Sequence, residues 1–200
     1  MEGPERQRSG PFSLGEGNAG LTPGRHDHDM DTLTLLLLGL LPALAIVAGL
    51  HDLLTMKIPN WISGLLIVTF FPVAFLVGLD LSTVAAHVGV GLLALLIGAG
   101  MFALNWIGGG DAKLIAASCL WLGFTGSGVF LLQTGVCGGA FCLLLLTARK
   151  HLAPLLVAGP GWVTHLMQPK GDIPYGVAIA AGALLAFPAS DMVARFSAGL

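Results

Sequence analysis

The chain has 200 residues, of which 55% are hydrophobic and 10% are charged, and its formal net charge is −2. A soluble domain usually carries about 25% charged residues, so this composition excludes an ordinary soluble protein and indicates surroundings that are mostly lipid. The nine basic residues are scattered along the chain, which excludes nucleic acid as a partner and leaves the lipid bilayer as the predicted one.

The first 31 residues differ in composition from everything that follows. They are rich in Gly, Pro and charged residues, which predicts a disordered N-terminal extension over 1–31. The run His26-Asp27-His28-Asp29 has the side chains of a metal site, but no neighbouring structure would fix ligand geometry. We therefore interpret it as part of a solvated tail and predict no metal. Met30, just ahead of the first apolar run, is an alternative start of translation.

Residues 32–195 form the predicted transmembrane domain, because apolar runs of about 20 residues can cross a bilayer as helices. The fold class is predicted to be all-α: a polytopic membrane protein with about six transmembrane helices. Prolines and glycines interrupt 152–167, which predicts one short interfacial or re-entrant segment. The six predicted spans are 32–50, 61–79, 81–107, two short spans within 114–147 that separate at 123–128, and 173–189.

The basic residues predict the orientation in the membrane. If the chain has six spans, five basic residues fall on the same side of the membrane: Lys57, Lys113, Arg149, Lys150 and Lys170. The positive-inside rule makes that side cytoplasmic. Asp52 and Asp111 end apolar runs on the same side, because an even number of crossings separates them. The topology therefore allows the two carboxyl groups to meet.

A carboxylate within a membrane needs a reason, because a charge at mid-membrane costs roughly 2.5–3.5 kcal/mol on insertion scales. Two adjacent carboxyl groups, one ionised and one protonated, can activate a water and protonate a carbonyl oxygen. Gly108-Gly109-Gly110 precede Asp111 and are expected to let the backbone turn tightly and a substrate strand come close. Asn60, after Pro59, is expected to cap the second span.

Simpler interpretations of the same residues stay open. Asp52 could be an interfacial charge near Lys57, and Asp111 could be the N-cap of the helix that follows it. A small transporter could also use the two aspartates to carry protons or cations. Both acids stand at the ends of spans rather than in their middle, which favours a hydrolytic site.

Other polar and small residues in the spans are given structural roles. Four glycines of the third span are predicted to be helix-packing positions: Gly89, Gly91, Gly98 and Gly100. His51 adjoins Asp52 but points in another direction on a helix, so it is left out of the site. His87 is predicted to be buried and hydrogen-bonded.

Three segments resemble the motifs of prepilin peptidases, a family of intramembrane GxGD aspartic peptidases. Residues 52–60, D-L-L-T-M-K-I-P-N, resemble the first aspartate motif, and 108–114, G-G-G-D-A-K-L, resemble the G-x-G-D motif. Residues 173–180 are similar to the P-[YF]-G segment of the last helix. The resemblance covers roughly 32–189, and the length and layout look most like the tight-adherence branch (Flp/Tad, CpaA/TadV-like).

The resemblance implies an aspartic endopeptidase of the bacterial inner membrane, with Asp52 and Asp111 as its catalytic residues. It would remove the leader of a prepilin-like protein substrate, after a glycine, at the cytoplasmic face. It implies no cofactor, since the zinc-type C-x-x-C insert of longer relatives is absent from this sequence. The alternative enzyme is a related GxGD protease for another signal, such as an archaellin-type leader. The implied loop and substrate-binding residues are Gly108, Gly110, Lys113, Pro59, Asn60, Pro174, Tyr175 and Gly176.

One departure from the family pattern concerns leader recognition. Leu54 and Met56 stand where the family often has basic residues. The resemblance therefore implies that this chain recognises its leader differently on that side of Asp52.

Overall fold

The computed structural model describes residues 25–152, 161–168 and 171–199. These residues form helices and connecting turns, with no strand among them, and the predicted all-α polytopic membrane fold is confirmed. The helices are α1 (Arg25–Leu38), α2 (Leu40–Thr55), α3 (Asn60–Leu76), α4 (Leu81–Ala103), α5 (Gly109–Leu152), α6 (Gly161–Leu166), α7 (Tyr175–Ala186) and α8 (Asp191–Gly199), with a 3-10 turn at Phe187–Ala189.

Most of these helices are apolar enough for a bilayer. Among the described residues, four helical stretches are long and apolar enough to cross a membrane, and α3 is a shorter apolar helix. Many large apolar side chains on their outer faces are exposed, as expected where lipid replaces water. The four long stretches are Thr32–Thr55, Leu81–Ala103, Gly109–His151 and Tyr175–Gly199.

The longest helix, α5, reverses direction at Gly123. The φ and ψ angles there are 68° and −170°, a conformation that is nearly restricted to glycine. After the break, Gly138 lies against Tyr175, which borders the same cavity as Asp111 near the start of α5. The helix therefore makes two passes. The predicted division of this apolar run is confirmed, with the break at one glycine rather than across 123–128.

The remaining boundaries differ modestly from the predicted ones. Helix α4 ends at Ala103, four residues before the predicted end of the third span, and a turn with Asn105 at φ 59° follows it. The last predicted span, 173–189, contains α7 and the 3-10 turn, and α8 follows it. The short helix α6 lies within the predicted interfacial segment, whose residues 153–160 are outside the described ones. Lys170 is outside them as well.

The predicted extension over 1–31 falls largely on residues that the structure does not describe. Its described part, 25–31, belongs to α1, so this helix begins seven residues before the predicted boundary. Helix α2 follows α1 after Gly39, with Pro42 in its first turn. A proline is tolerated there because the first amides of a helix have no partner within it.

The core between α3, α4 and α5 contains a buried aromatic cluster. The indole nitrogen of Trp121 donates to the carbonyl oxygen of Leu66 at 2.7 Å, and the Trp121 ring packs edge-on against Phe70. His87 is only 1% exposed, stacks on Phe70, and its Nδ1 lies 2.8 Å from the carbonyl oxygen of Leu120. The predicted burial and hydrogen bonding of His87 are confirmed.

Two of the four α4 glycines are packing positions. A Cβ at Gly91 or at Gly98 would lie 3.0 Å from the Cβ of a residue on α5, so both let the helices approach closely. Gly89 and Gly100 have open space at the same position. The packing prediction is therefore confirmed for the first pair and wrong for the second, because the second pair faces away from α5.

Candidate active site

Asp52 lies in the last turn of α2 and is 6% exposed. Its Oδ2 accepts a hydrogen bond of 2.8 Å from the backbone N–H of Gly176, the second residue of α7. A Cβ on Gly176 would stand 2.8 Å from the Cβ of Asp52 and 2.9 Å from its Oδ2. Only a residue without a side chain can bring its amide this close to the carboxyl group.

Small residues make the close crossing of α2 and α7 possible. A Cβ at Gly49 would lie 2.9 Å from the Cβ of Ala180 and 3.2 Å from the carbonyl oxygen of Gly176. Helices in a membrane approach most closely where such residues face each other. The crossing sets the start of α7 against Asp52, which is why the P-Y-G segment of the sequence ends up at the site.

Asp111 is the third residue of α5 and its Oδ2 accepts from the backbone N–H of Gly108 at 3.2 Å. This is the geometry of a capping box, in which a side chain at the third helical position reaches back to the residue before the helix. Asp111 therefore does support the start of α5. It does so from inside the first turn, and the interpretation of Asp111 as the N-cap itself is wrong.

The glycines before Asp111 serve close approach rather than a left-handed turn. A Cβ at Gly110 would lie 3.0 Å from the Cβ of Ile58, and one at Gly108 would lie 2.9 Å from the Oδ2 of Asp111. None of the three takes a positive φ, so a left-handed backbone conformation is not what requires glycine here. They let the turn after α2 and the start of α5 pack against each other.

The turn after α2 is held by its own hydrogen bonds. Met56 adopts the left-handed conformation, with φ 54° and ψ 32°, and its amide donates to the carbonyl oxygen of Asp52 at 2.7 Å. The Nδ1 of His51 lies 2.7 Å from the carbonyl oxygen of Lys57. His51 thus ties the end of α2 to the turn that follows Asp52.

Two cavities, of about 360 and 310 Å³, are each bordered by both aspartates. The larger also touches the α4–α5 turn and the residues that lead into α7, and the smaller touches the turn after α2. Asp52 and Asp111 come from α2 and α5 and therefore meet at the borders of the same two cavities. Both cavities include Asp52, Met56, Gly108 and Asp111.

One oxygen of each aspartate is left for chemistry. Within the described residues, Asp52 and Asp111 each accept through Oδ2 alone, from Gly176 and Gly108 respectively. Their Oδ1 atoms have no partner there, and both residues border the cavities. Two such carboxyl groups can hold a water between them, one acting as the base and the other as the acid.

The other predicted site residues divide into two groups. Pro174 and Tyr175 border the larger cavity, Gly176 donates to Asp52, and Gly108 borders both cavities. Gly110 borders the smaller cavity. These residues surround the aspartate pair.

Lys113 and Asn60 lie elsewhere. The Nζ of Lys113 donates to the Oδ1 of Asn60 at 2.9 Å, and both border a separate apolar cavity of about 440 Å³ between α3, α4 and α5. The expected capping by Asn60 is wrong, because α3 begins at Asn60 itself and Pro59 is the residue before it. The Asn60 side chain instead ties α3 to the start of α5.

Four residues that border the larger cavity lie outside every motif and site residue named from the sequence: Asn105, Trp106, Ile107 and Asp172. The first three form the turn that leads into Gly108, so adjacency to the G-G-G-D run was a usable signal. Asp172 stands two residues before Pro174, and its acidic side chain next to that motif was a second one. In the part of the chain that the structure describes, no three His, Cys, Asp or Glu side chains are grouped to hold a metal ion.

Comparison with known proteins supports what this geometry suggests. Residues 39–143, more than half of the chain, match the type IV leader peptidase family. The chain belongs to that family, whose members are prepilin peptidases, which are aspartic proteases. No curated protein and no solved structure matches the chain. The family match includes Asp52, Asp111 and all the residues between them.

Proposed function

We propose that this protein is an intramembrane aspartic endopeptidase that removes the leader of a prepilin-like substrate, with Asp52 and Asp111 as its catalytic pair. The observation that carries the proposal is that two aspartates from different helices border the same cavities, each with one oxygen unbonded among the described residues. Membership of the type IV leader peptidase family supports the same activity.

The reaction needs one of the two carboxyl groups ionised and the other protonated. The ionised group takes a proton from a water, which attacks the carbonyl carbon of the scissile peptide bond, while the protonated group donates to the carbonyl oxygen. The tetrahedral intermediate then collapses as a proton passes to the leaving nitrogen. The amides of Gly176 and Gly108 each hold one oxygen of an aspartate and leave the other available for the water and the substrate.

The surroundings of the pair support action at the cytoplasmic face of a bacterial inner membrane. Lys57 borders the smaller cavity, and Lys113 lies two residues after Asp111, so basic residues accumulate at this end of the helices. The positive-inside rule assigns such an end to the cytoplasm. A leader whose cleavage site lies at that surface could reach the pair without entering the bilayer core.

Substrate recognition is proposed to involve the cavity borders. Met56 contributes to both cavities at a position where the family often has a basic residue, so an apolar side chain of the leader is the expected neighbour. Pro174 and Tyr175 also border the larger cavity and would contact another part of the substrate chain. Prepilins of the tight-adherence type remain our preferred substrate class, with archaellin-type leaders as the alternative to be tested.

The test is cleavage of a co-reconstituted prepilin in vesicles by Asp52→Asn and Asp111→Asn variants. Each substitution keeps the size of the side chain but removes its acid–base function, which typically accounts for about 10²- to 10⁴-fold in rate. Asp80→Asn, a substitution at the opposite end of the helices, is the matched control and should cleave normally. Normal processing by either of the first two variants would show that the pair is not catalytic.

The same vesicles separate the peptidase from a transporter. A transporter that uses the two aspartates would move protons or cations across the vesicle membrane without any cleavage. Cleavage of a prepilin but not of an archaellin-type leader would identify the preferred substrate class.

A further inference from the structure

Arg149 is a buried cation near the end of α5 that takes no part in the chemistry proposed above. It is 8% exposed, and it donates three hydrogen bonds, all to backbone carbonyl oxygens. Nε donates to Leu166 at 2.9 Å, Nη1 to Gly171 at 2.9 Å and Nη2 to Asp172 at 2.7 Å. Among the described residues no carboxylate forms an ion pair with it.

These contacts require the shape of arginine as well as its charge. A guanidinium group presents five N–H donors in one plane, so it can serve three acceptors that come from two separate turns of the chain. A lysine ammonium is a single point with three donors and cannot span the same acceptors. Burial of the Arg149 guanidinium also costs free energy unless its N–H donors find hydrogen-bond partners, so the position is specialised for arginine.

The acceptors of Arg149 lead directly into the wall of the candidate site. Leu166 ends α6, and Gly171 and Asp172 are the residues from which the chain runs into α7. Asp172 borders the larger cavity, and four residues later Gly176 donates to Asp52. The guanidinium therefore fixes one end of a short segment whose other end holds a catalytic carboxyl group.

We propose that Arg149 is a positioning residue that holds the 171–176 segment against Asp52. It contacts neither the pair nor the cavities, and acts by setting where the Gly176 amide and the Pro174–Tyr175 wall stand. This inference rests on the proposed function for its catalytic consequence but not for the clamp itself. The alternative is that Arg149 only helps to set the orientation in the membrane as one more positive charge at the cytoplasmic end. That role would require the charge but not the shape of arginine.

The activity test compares Arg149→Lys, Arg149→Ala and the exposed neighbour Lys150→Gln in vesicles with a prepilin substrate. A misplacement of about 1 Å can cost roughly 100-fold in rate, so a fall of that order in kcat/KM is expected for both Arg149 variants. Lys150→Gln should be close to the parent protein. Methylguanidine should restore cleavage to Arg149→Ala, because it can refill the vacated site, and should not affect Arg149→Lys, where the lysine fills it.

Full activity of Arg149→Lys would show that charge alone suffices and would overturn the proposal. Failure of methylguanidine to restore any cleavage to a folded Arg149→Ala protein would also count against it. A purely structural loss would not be reversed by a small guanidinium compound, so rescue distinguishes the two roles.

Hydrogen exchange on the same proteins tests the clamp without any substrate. The amides of Gly171 and Gly176 are hydrogen-bonded to Gln168 and Asp52, so both should exchange slowly in the parent protein and faster in the two Arg149 variants. Unchanged exchange would refute the clamp. If the parent protein cleaves no prepilin, the proposed function fails, while faster exchange would still support the clamp.

Discussion

The two ends of the helical bundle use aspartate in opposite ways. At the end away from the site, Asp80 caps α4, and both of its oxygens accept hydrogen bonds from Ser82 and Thr83. These bonds, led by the one from Ser82, hold the pKa of Asp80 well below its ordinary value. At the other end, Asp52 and Asp111 each have one bonded oxygen and share a cavity.

The difference shows which feature of an acid at a helix end carries functional information. All three aspartates lie at or near helix ends in an apolar chain, so position and composition do not separate them. What separates them is the number of hydrogen bonds that each carboxyl group accepts and whether a second acid lies nearby. The end with Asp80 should therefore affect stability, and the end with the aspartate pair should affect cleavage.

The substitution expected to sharpen this contrast most is Gly176→Ala, through its effect on the rate of cleavage. The new Cβ would stand 2.8 Å from the Cβ of Asp52, so the start of α7 must move away from the carboxyl group. We expect a loss of roughly 100-fold in prepilin cleavage, the cost of a misplacement of about 1 Å. Gly100→Ala, where a Cβ meets open space, is the control and should retain activity. Equal activity of the two variants would mean that the Gly176 contact does not position Asp52.

Gly123→Ala should instead act on folding. Alanine at φ 68° and ψ −170° is strained, and such conformations cost about 1–3 kcal/mol in a residue other than glycine. Its Cβ would also stand 2.8 Å from the Nε2 of His87. We expect a lower melting temperature in detergent with near-normal cleavage per folded molecule. Gly128→Ala, in open space, should not lower the melting temperature.

An unchanged melting temperature in Gly123→Ala would contradict the strained reversal of α5. A loss of cleavage without a loss of stability would contradict the division of roles between the two ends.

The smallest effect is expected from Asp80→Ala, which should lower the melting temperature slightly at neutral pH. Because the folded state lowers the pKa of Asp80, its carboxylate stabilises the fold above the unfolded pKa of about 3.9. That contribution is lost as the pH falls through the folded pKa. The difference between Asp80→Ala and the parent protein should therefore shrink in acid. A difference that stays constant with pH would mean that the ionised cap is not what stabilises α4.

The fold was largely predictable because the mean hydropathy of each run does not depend on how the helix is rotated. The rotation of each helix about its own axis was not predictable, and this explains the errors in the packing glycines and in the role of Asn60. Gly91 and Gly98 face α5 while Gly89 and Gly100 do not, and the sequence contains all four in similar surroundings. Asn60 was expected to cap α3, but its side chain accepts a hydrogen bond from Lys113, which lies 53 residues further along the chain on α5.

The centre of the candidate site was predictable from motifs, and its supports were not. Asp52, Asp111 and the P-Y-G segment stand in recognisable local patterns. The clamp by Arg149 has no such pattern, because its acceptors are backbone carbonyl groups 17 to 23 residues further along the chain. Every residue has a carbonyl group, so only the folded structure identifies these three.

The cleavage rate of an Asp52→Asn/Asp111→Asn double variant, set beside the two single variants, tests most directly whether the aspartates work as one unit. Residues that act together on the same water show strongly non-additive losses. We predict that the double variant is no slower than the slower single variant. Two losses that multiply, or a single variant that keeps most of the parent rate, would contradict a shared catalytic role.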